Sequence, residues 1–288
     1  MTTAYTPTAQ IATSNPATHA DGDDGNATNF NRPLEPLLDA RAFVRTLAPG
    51  LLLWRGLFAV DTGGSNSSFT VRFSPLEAVV LPDGSGTLFV FESTAAEVTI
   101  GASKIDGGGN LSNSTWYYVY AYRNAGSLDY LISTTAPDVY LTFRNGAQTH
   151  RYLGCFVTNS TGAPIPMRAH KGRYLYRRSA LANNQTRALN TSTVAGSATN
   201  VSLAGQVPPH SRVAMVQSQI TNNSGASLLL LYTDGDTSDA ALRHDNQDGL
   251  TSTRWAEIET SSSQVLDYTL SISAGTATAT LHVAGFSE

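Results

Sequence analysis

Beyond Gly50, apolar residues recur at every second position, and the apolar segments are short. Alternation with a period of two puts successive side chains on opposite faces and predicts β-strands. Gly, Asp, Asn and Ser separate the segments, as expected of turns. The first five predicted strands are LLLWRGLFAV, FTVRF, EAVVL, GTLFVFES and AEVTIGA.

The most regular alternation occurs in WYYVYAYRN, at 116–124. Both faces of this segment are apolar or aromatic, so both should be covered, and the segment should be a central strand. A stripe of rings is more typical of a core than of a surface that stacks on sugars. The two faces carry Trp116, Tyr118, Tyr120 and Tyr122 on one side, and Tyr117, Val119 and Ala121 on the other.

Further segments complete a first β domain at 49–178 and form a second at 179–288. The first adds LDYLISTTAP, DVYLTFRNG, HRYLGCFVTNSTG and a connecting strand in HKGRYLYRR. The second has NVSLAGQ, RVAMVQSQIT, SLLLLYT, RWAEIET, QVLDYTLSIS and ATATLHVAGF. Closely spaced strands are typical of sandwiches and jelly rolls. We predict an all-β protein with two antiparallel β-sandwich or jelly-roll-like domains.

Residues 1–30 are polar apart from a few spaced hydrophobes, mainly Tyr5 and Ile11. Such a segment cannot bury enough apolar surface to order itself, but it can order on a partner. We interpret it as an extended attachment arm anchored by Tyr5 and Ile11.

Residues 31–48 predict one short helix, which Asn31 can cap and which Pro49 and Gly50 end. Its apolar stripe contains residues at seven-residue spacing, which suits a short coiled coil between subunits. Docking of the helix on the protein's own sheet would use the same stripe. The stripe residues assigned to the interface are Phe30, Leu34, Leu37 and Val44.

The long, Thr-rich strands carry little charge. ATATLHVAGF has no charged residue and no proline to guard an exposed sheet edge. A partner chain or a neighbouring sheet should cover such an edge, so we expect an oligomer.

Charge and composition exclude several classes of function. Charged residues make up 14% of the chain, the formal net charge is −4, and the densest basic cluster is Arg177-Arg178. This balance offers no surface for a phosphate backbone, so nucleic acid is not an expected partner. No apolar run approaches the roughly 20 residues of a membrane span. The first residues lack the features of a signal peptide, so synthesis and use in a cytoplasm without such export are expected.

Candidate catalytic and cofactor groups are sparse in the sequence. Cys155 is the one cysteine, which predicts a buried thiol and leaves no cysteine pair for a disulfide or zinc site. The run Gly107–Gly109 lacks a following helix or lysine, so it predicts a hairpin loop and no nucleotide cofactor. No GxSxG element accompanies the scattered histidines, so an enzyme is not expected. These histidines are His19, His150, His170, His210, His244 and His282.

Five aspartates lie close together between the predicted strands SLLLLYT and RWAEIET. Two of them could act as acid and base on a glycan, and YTDGDTSD offers oxygen ligands for calcium. The intervening Gly, Thr, Ser and Asn residues favour a hydrated turn, so we expect no metal. The candidate ligand loop comprises Asp234, Asp236, Asp239, Asp245 and Asp248.

Three segments resemble virion proteins of tailed bacteriophages: DGDDGNATNFNRPLEPLLDARAFVRTL, WYYVYAYRNAGSLDYLISTTAP and HRYLGCFVTNSTGAPI. The likeness covers roughly residues 21–178. It implies a homotrimer that attaches to other virion proteins of a head, neck or tail through its N-terminal arm, with β domains projecting outward. The resemblance also implies location in a virion that is assembled in the host cytoplasm.

These observations favour a structural virion protein, such as a short fibre, spike or decoration subunit. An alternative is a receptor-binding fibre module whose loops, around Asp234–Asp248, recognise a host-surface glycan. A third hypothesis, from the enzyme class, is a glycan depolymerase that uses two of those aspartates.

Overall fold

The computed structural model describes residues 57–61, 63–74, 79–82, 88–91, 97–137, 150–247 and 249–288. The predicted arm at 1–30 and helix at 31–48, with Tyr5, Ile11, Phe30, Leu34, Leu37 and Val44, lie outside these residues. Within them the protein is mainly β, which confirms the predicted fold class. A five-residue helix, α1 (Arg178–Ala182), and a single 3-10 turn (Ala102–Lys104) interrupt the strands. No described helix has the length and apolar character needed to span a bilayer.

Eighteen strands occur in the described part of the chain. In chain order they are β1 (Leu57–Val60), β2 (Val71–Phe73), β3 (Val79–Pro82), β4 (Leu88–Phe91), β5 (Val98–Ile100), β6 (Trp116–Asn124), β7 (Ser127–Ser133), β8 (His150–Val157), β9 (Met167–His170), β10 (Arg173–Tyr176), β11 (Arg187–Thr191), β12 (Ala195–Ser202), β13 (Val213–Asn222), β14 (Ser227–Thr233), β15 (Leu242–Asn246), β16 (Thr251–Glu259), β17 (Val265–Ile272) and β18 (Ala277–Ser287).

A nine-stranded sheet, called the large sheet below, runs through both halves of the chain. Its order is β16-β13-β18-β10-β9-β1-β2-β5, and β11 also pairs with β18. The halves meet where β10 pairs with β18. A Cβ atom on Gly285 would lie 2.0 Å from the Tyr174 carbonyl oxygen, so this close pairing requires glycine. Strands on both sides of residues 178 and 179, where the sequence predicts a domain boundary, therefore belong to one sheet.

The structure places ATATLHVAGF inside a sheet, where strands of its own chain supply the cover that the sequence assigns to a partner chain or a neighbouring sheet. The strand lies inside the large sheet, between β13 on one side and β10 and β11 on the other. Its low charge reflects burial among strands of its own chain, since Ala279, Leu281 and Val283 are fully buried.

A three-stranded sheet, β7-β6-β8, packs on the first half of the large sheet. The rings of Phe73 and Tyr130 lie 5.0 Å apart across this interface, and those of Trp116 and Phe286 lie 5.6 Å apart. β6 is the central strand, and its residues 117–121 are all buried. The prediction of a central strand covered on both faces is therefore confirmed.

A four-stranded sheet, β12-β17-β14-β15, packs on the second half of the large sheet. A buried imidazole links the layers, because His244 Nδ1 lies 2.7 Å from Ser218 Oγ on β13 and its Nε2 lies 2.8 Å from Ser252 Oγ on β16. One continuous apolar cluster joins both sandwich-like halves. The inner face of the large sheet is thus covered by the other sheets. The outer face of β13, β16 and β18 carries the exposed side chain of Trp255.

Candidate functional site

A groove of about 800 Å³ opens on the outer face of the large sheet, a volume within the usual range of ligand sites. β13 and β18 form its floor, α1 and the turn after it form one wall, and β16 forms the other. Its lining residues are Leu175, Tyr176, Arg178, Leu181, Ala182, Asn184, Gln217, Gln219, Trp255, His282 and Ala284.

The alternation of β13 creates the polar floor. Ser218 and Ile220 are buried beneath the sheet, so Gln217 and Gln219 project from the opposite face into the groove. Glutamine amides carry both donors and acceptors, and a strand holds them at fixed spacing.

The strand register sets an indole, an amide and an imidazole side by side. Gln217 pairs with Trp255 on β16 and with His282 on β18. Directly opposed residues in antiparallel strands have Cβ atoms about 5 Å apart, so the three side chains form one row across the groove. The row is part of a sheet, which holds the three side chains at fixed spacing.

Trp255 is 59% exposed, which is unusual for the largest apolar side chain. A second depression, of about 330 Å³, lies on its other side and shares Leu175, Trp255 and Ala284 with the first. An ion pair between Arg173 and Glu257 borders this second depression. A ligand can therefore approach the indole from either side.

The wall that contains α1 is formed by the short segment that follows β10. α1 buries Ala180 against the protein and presents Leu181 and Ala182 to the groove. Asn184 follows in the left-handed conformation, with φ at 57°, which asparagine tolerates well. Its amide adds a polar group at the rim.

The imidazole of His282 is favoured in its neutral form. Burial lowers its pKa, and the nearby charge of Arg187 lowers it further. Its Nδ1 atom is buried and has no hydrogen-bond partner within the described residues. At neutral pH the His282 ring that lines the groove is therefore uncharged, and its buried Nδ1 atom is not accessible to a ligand in the groove.

The predicted ligand loop lies elsewhere, at the β14–β15 hairpin. Asp234, Asp236 and Asp239 lie in the turn, Asp245 lies on β15, and Asp248 is outside the described residues. The Asp236 carboxylate accepts hydrogen bonds from the Ser238 amide and hydroxyl, which lower its pKa. Asp245 forms a double hydrogen bond with Arg243, which lowers its pKa too. Both carboxylates are engaged by their own hairpin, and the ligand loop stays a prediction.

A buried carboxylate ties this turn to the sheet. Asp267 accepts hydrogen bonds from the Gly235 amide at 3.0 Å and from the Asn200 side chain at 2.7 Å. Gly235 has a φ of 76°, which glycine adopts without strain. The turn is therefore held in place by internal bonds.

Sequence reasoning missed Trp255, although a usable signal was present. In TSTRWAEIE, Trp255 shares a phase with Thr253 and Glu257, while Ala256 and Ile258 occupy the opposite phase. An indole in phase with polar residues is the signal of an exposed aromatic on a strand. Gln217, Gln219 and His282 carry no comparable signal, because their proximity depends on the pairing of three distant strands.

No protein-family profile matches the sequence, and no curated protein does. Among solved structures, the chain is similar to the N-terminal CBM22-1-CBM22-2 tandem domain of Paenibacillus barcinonensis Xyn10C, with 14% identity, coverage of 81% of this chain and 77% of that one, and a TM-score of 0.26. It is also similar to a Bacillus thuringiensis Cry1Da tryptic core variant, with 10% identity, 84% and 53% coverage, and a TM-score of 0.21.

A third similar structure is that of infectious bursal disease virus, Gx strain, with 12% identity, coverage of 79% and 66%, and a TM-score of 0.18. TM-scores of this size do not define a shared architecture. A function must therefore be inferred from the chain's own residues.

Proposed function

We propose that this protein binds carbohydrate in the groove at Trp255. The observation that carries the proposal is the exposed indole, which lies in one row with Gln217 and His282 on a rigid sheet. A sugar ring has an apolar face that can pack on an indole. Its hydroxyl groups match the donors and acceptors of amides and of a neutral imidazole.

The geometry also suits a chain of sugar units. The two depressions on either side of Trp255 share part of their lining, so a linear glycan could cross the indole and contact both. Leu175 extends the apolar surface beside the ring. The sequence places the receptor-binding alternative at the loops around Asp234–Asp248. In this proposal the face of the large sheet binds the host-surface glycan instead.

Glycan-array screening of the full chain, followed by calorimetric titration of the best ligand, tests this function. Trp255→Ala should weaken binding by at least about tenfold, as expected for an aromatic side chain that the ligand covers. Leu250→Ala is the matched control, because Leu250 is similarly exposed but lies outside the groove. Absence of glycan binding by the wild type, or equal binding by Trp255→Ala, would contradict the proposal.

An assembly function is a second candidate, and one strand edge favours it. β12 has the sequence AGSATNVS, without charge or proline, and within the described residues it pairs on one side alone, with β17. An irregularity between Ala195 and Thr199 disturbs its first half, whereas Thr199–Ser202 is regular. Val194, just before the strand, is exposed. A regular, uncharged edge beside an apolar side chain can pair with another chain.

In this second reading the protein is a homotrimeric subunit of a tailed-phage virion, attached through residues 1–30. Light scattering coupled to size-exclusion chromatography should give the mass of a trimer for the full chain. Deletion of residues 1–30 should leave that trimer intact, since the arm is assigned to attachment. A monomeric full chain would contradict this candidate, and it would leave the glycan proposal unaffected.

A further inference from the structure

Four side chains of different chemistry converge where the three-stranded sheet meets the large sheet. The Glu288 Oε1 atom accepts a hydrogen bond of 2.5 Å from the Tyr152 hydroxyl. The same oxygen lies 2.6 Å from His210 Nε2 and 3.4 Å from Cys155 Sγ. The side chains of His210 and Glu288 are 10% and 8% exposed, and Cys155 is completely buried. This cluster lies apart from the groove at Trp255, and none of its members lines the groove.

A strand irregularity brings Tyr152 and Cys155 to the same face. Residues three apart on a regular strand point to opposite faces. The β6–β8 register shifts between Val119 and Tyr120, which pair with Gly154 and Tyr152, so Leu153 is an extra residue. A bulge of one residue restores Cys155 to the face of Tyr152. Bulges commonly re-aim a side chain in this way near functional sites.

Hydrogen bonds to backbone carbonyl groups hold the segments that carry His210 and Glu288. The Ser211 amide bonds to the Pro208 carbonyl, and the Ser211 hydroxyl bonds to the Ser287 carbonyl at 2.7 Å. The Glu288 amide donates to the Gly172 carbonyl at 2.9 Å. The rings of Tyr118 and Tyr152 pack 5.6 and 5.7 Å from the His210 ring. The side chains are thus oriented before any ligand arrives.

The cluster contains the kinds of groups that can neutralise a divalent cation. It contains a carboxylate, a thiol and a phenol, and His210 is the one member that can carry a positive charge. A divalent cation bound by a thiolate, a carboxylate and a neutral imidazole would give a net charge of zero, which suits a buried site.

We propose that Cys155, His210 and Glu288 bind a zinc ion, with the Tyr152 hydroxyl completing the site or hydrogen-bonding the carboxylate. The three ligand atoms lie within 4.8 Å of one another. Tetrahedral zinc, with bonds of about 2.0–2.3 Å, separates its ligand atoms by roughly 3.5 Å, so shifts of about 1 Å suffice. Sulfur and nitrogen ligands favour zinc over calcium or magnesium. Binding replaces the thiol proton, which leaves to solvent.

The role of this ion is structural. Cys155 lies on β8, His210 lies in the loop before β13, and Glu288 follows β18. A bound zinc ion therefore joins the three-stranded sheet to the large sheet at the junction of the two halves. Binding to the folded chain alone would raise its melting temperature as the zinc concentration increases.

Cobalt substitution tests the site without any variant. The full chain, without an affinity tag, is refolded from denaturant with Co²⁺, and its absorption spectrum is recorded. Ligation by Cys155 should produce a thiolate-to-cobalt charge-transfer band and intense visible bands of tetrahedral Co²⁺, at one equivalent per chain, and Zn²⁺ should abolish them. A spectrum of octahedral, solvated Co²⁺ would overturn the proposal.

Variants then assign the ligands. In competition titrations with a chromophoric chelator, Cys155→Ser and His210→Gln should each weaken Zn²⁺ binding by at least about tenfold. His170→Gln is the control, because His170 is exposed on β9 and is not one of the three proposed ligands. Circular dichroism in chelator checks that each variant is folded. Stoichiometric Zn²⁺ binding that survives both ligand variants, or its absence in the wild type, would overturn the proposal and would leave the glycan proposal untouched.

Discussion

The predicted ligand loop and the Trp255 groove are both polar surfaces of the second half of the chain. They differ in the hydrogen-bond partners of their polar side chains. In the turn, Asp236 and Asp245 bond to Ser238 and Arg243 of the same hairpin. In the groove, the polar side chains stand on a sheet floor around an exposed indole, and a buried nitrogen of His282 lacks a partner within the described residues.

This difference is the reason for proposing the groove rather than the acidic loop as the ligand site. In this hairpin two carboxylates accept hydrogen bonds from donors of the same hairpin, so part of their hydrogen-bonding capacity is used internally. A rigid sheet with an exposed aromatic side chain offers apolar area whose burial is favourable. The following changes test the comparison, from the largest expected effect to the smallest.

Asp267→Ala should lower the free energy of unfolding by about 1–2 kcal/mol, because it removes a buried acceptor of two hydrogen bonds, whose donors lie on exposed residues and can bond to water instead. The lost partners are the Gly235 amide and the Asn200 side chain. Urea denaturation measures the change, with Asp239→Ala at an exposed position of the same turn as the control. Equal stability of the two variants would show that internal bonds do not hold the turn.

Gln217→Ala should weaken glycan binding about fivefold, which corresponds to about 1 kcal/mol for one lost hydrogen bond. Its unfolding midpoint should remain that of the wild type, since Gln217 is half-buried on the open face. Calorimetric titration measures the affinity. Normal glycan binding by Gln217→Ala, together with weakened binding by Trp255→Ala, would show that the Gln217 amide does not contribute to glycan binding.

Acidification should produce a modest loss of stability, because burial lowers the pKa of both His244 and His282. Arg254 lowers that of His244 further, and Asp245 partly opposes it. Unfolded histidine has a pKa of about 6.5, so below that pH the unfolded chain binds more protons than the folded one. The free energy of unfolding should therefore fall as the pH drops through this value and level off below the folded pKa values.

Urea denaturation at several pH values measures this dependence in the wild type and in His244→Asn. The variant should show a shallower decline than the wild type. An identical pH dependence in both proteins would mean that His244 does not contribute.

The smallest effects are expected from Asp236→Asn and Asp245→Asn, whose carboxylates are exposed. Neither should change the melting temperature or the glycan affinity measurably. Loss of glycan binding, or of sugar release, in either variant would instead place the ligand in the predicted loop.

The sequence was informative about local structure and weak on long-range pairing. Alternation alone identified β6 as a central strand, because rings cover both of its faces. The sequence predicts that a partner chain or a neighbouring sheet covers β18, whereas β10 and β13 of the same sheet flank it, and nothing local reveals this pairing. The burial of Cys155 was predicted correctly. Its proximity to His210 and Glu288 was not predictable, because it depends on a bulge and on residues more than 50 positions away.

The pairing of β10 with β18 also has a consequence for how the protein is made. During vectorial synthesis, the β10 edge that β18 will occupy stays uncovered until about a hundred more residues have been added. Closing such distant pairs is entropically costly and slow, and an open edge invites wrong partners in the meantime. We therefore expect nascent chains truncated before residue 277 to depend on chaperones and to aggregate without them.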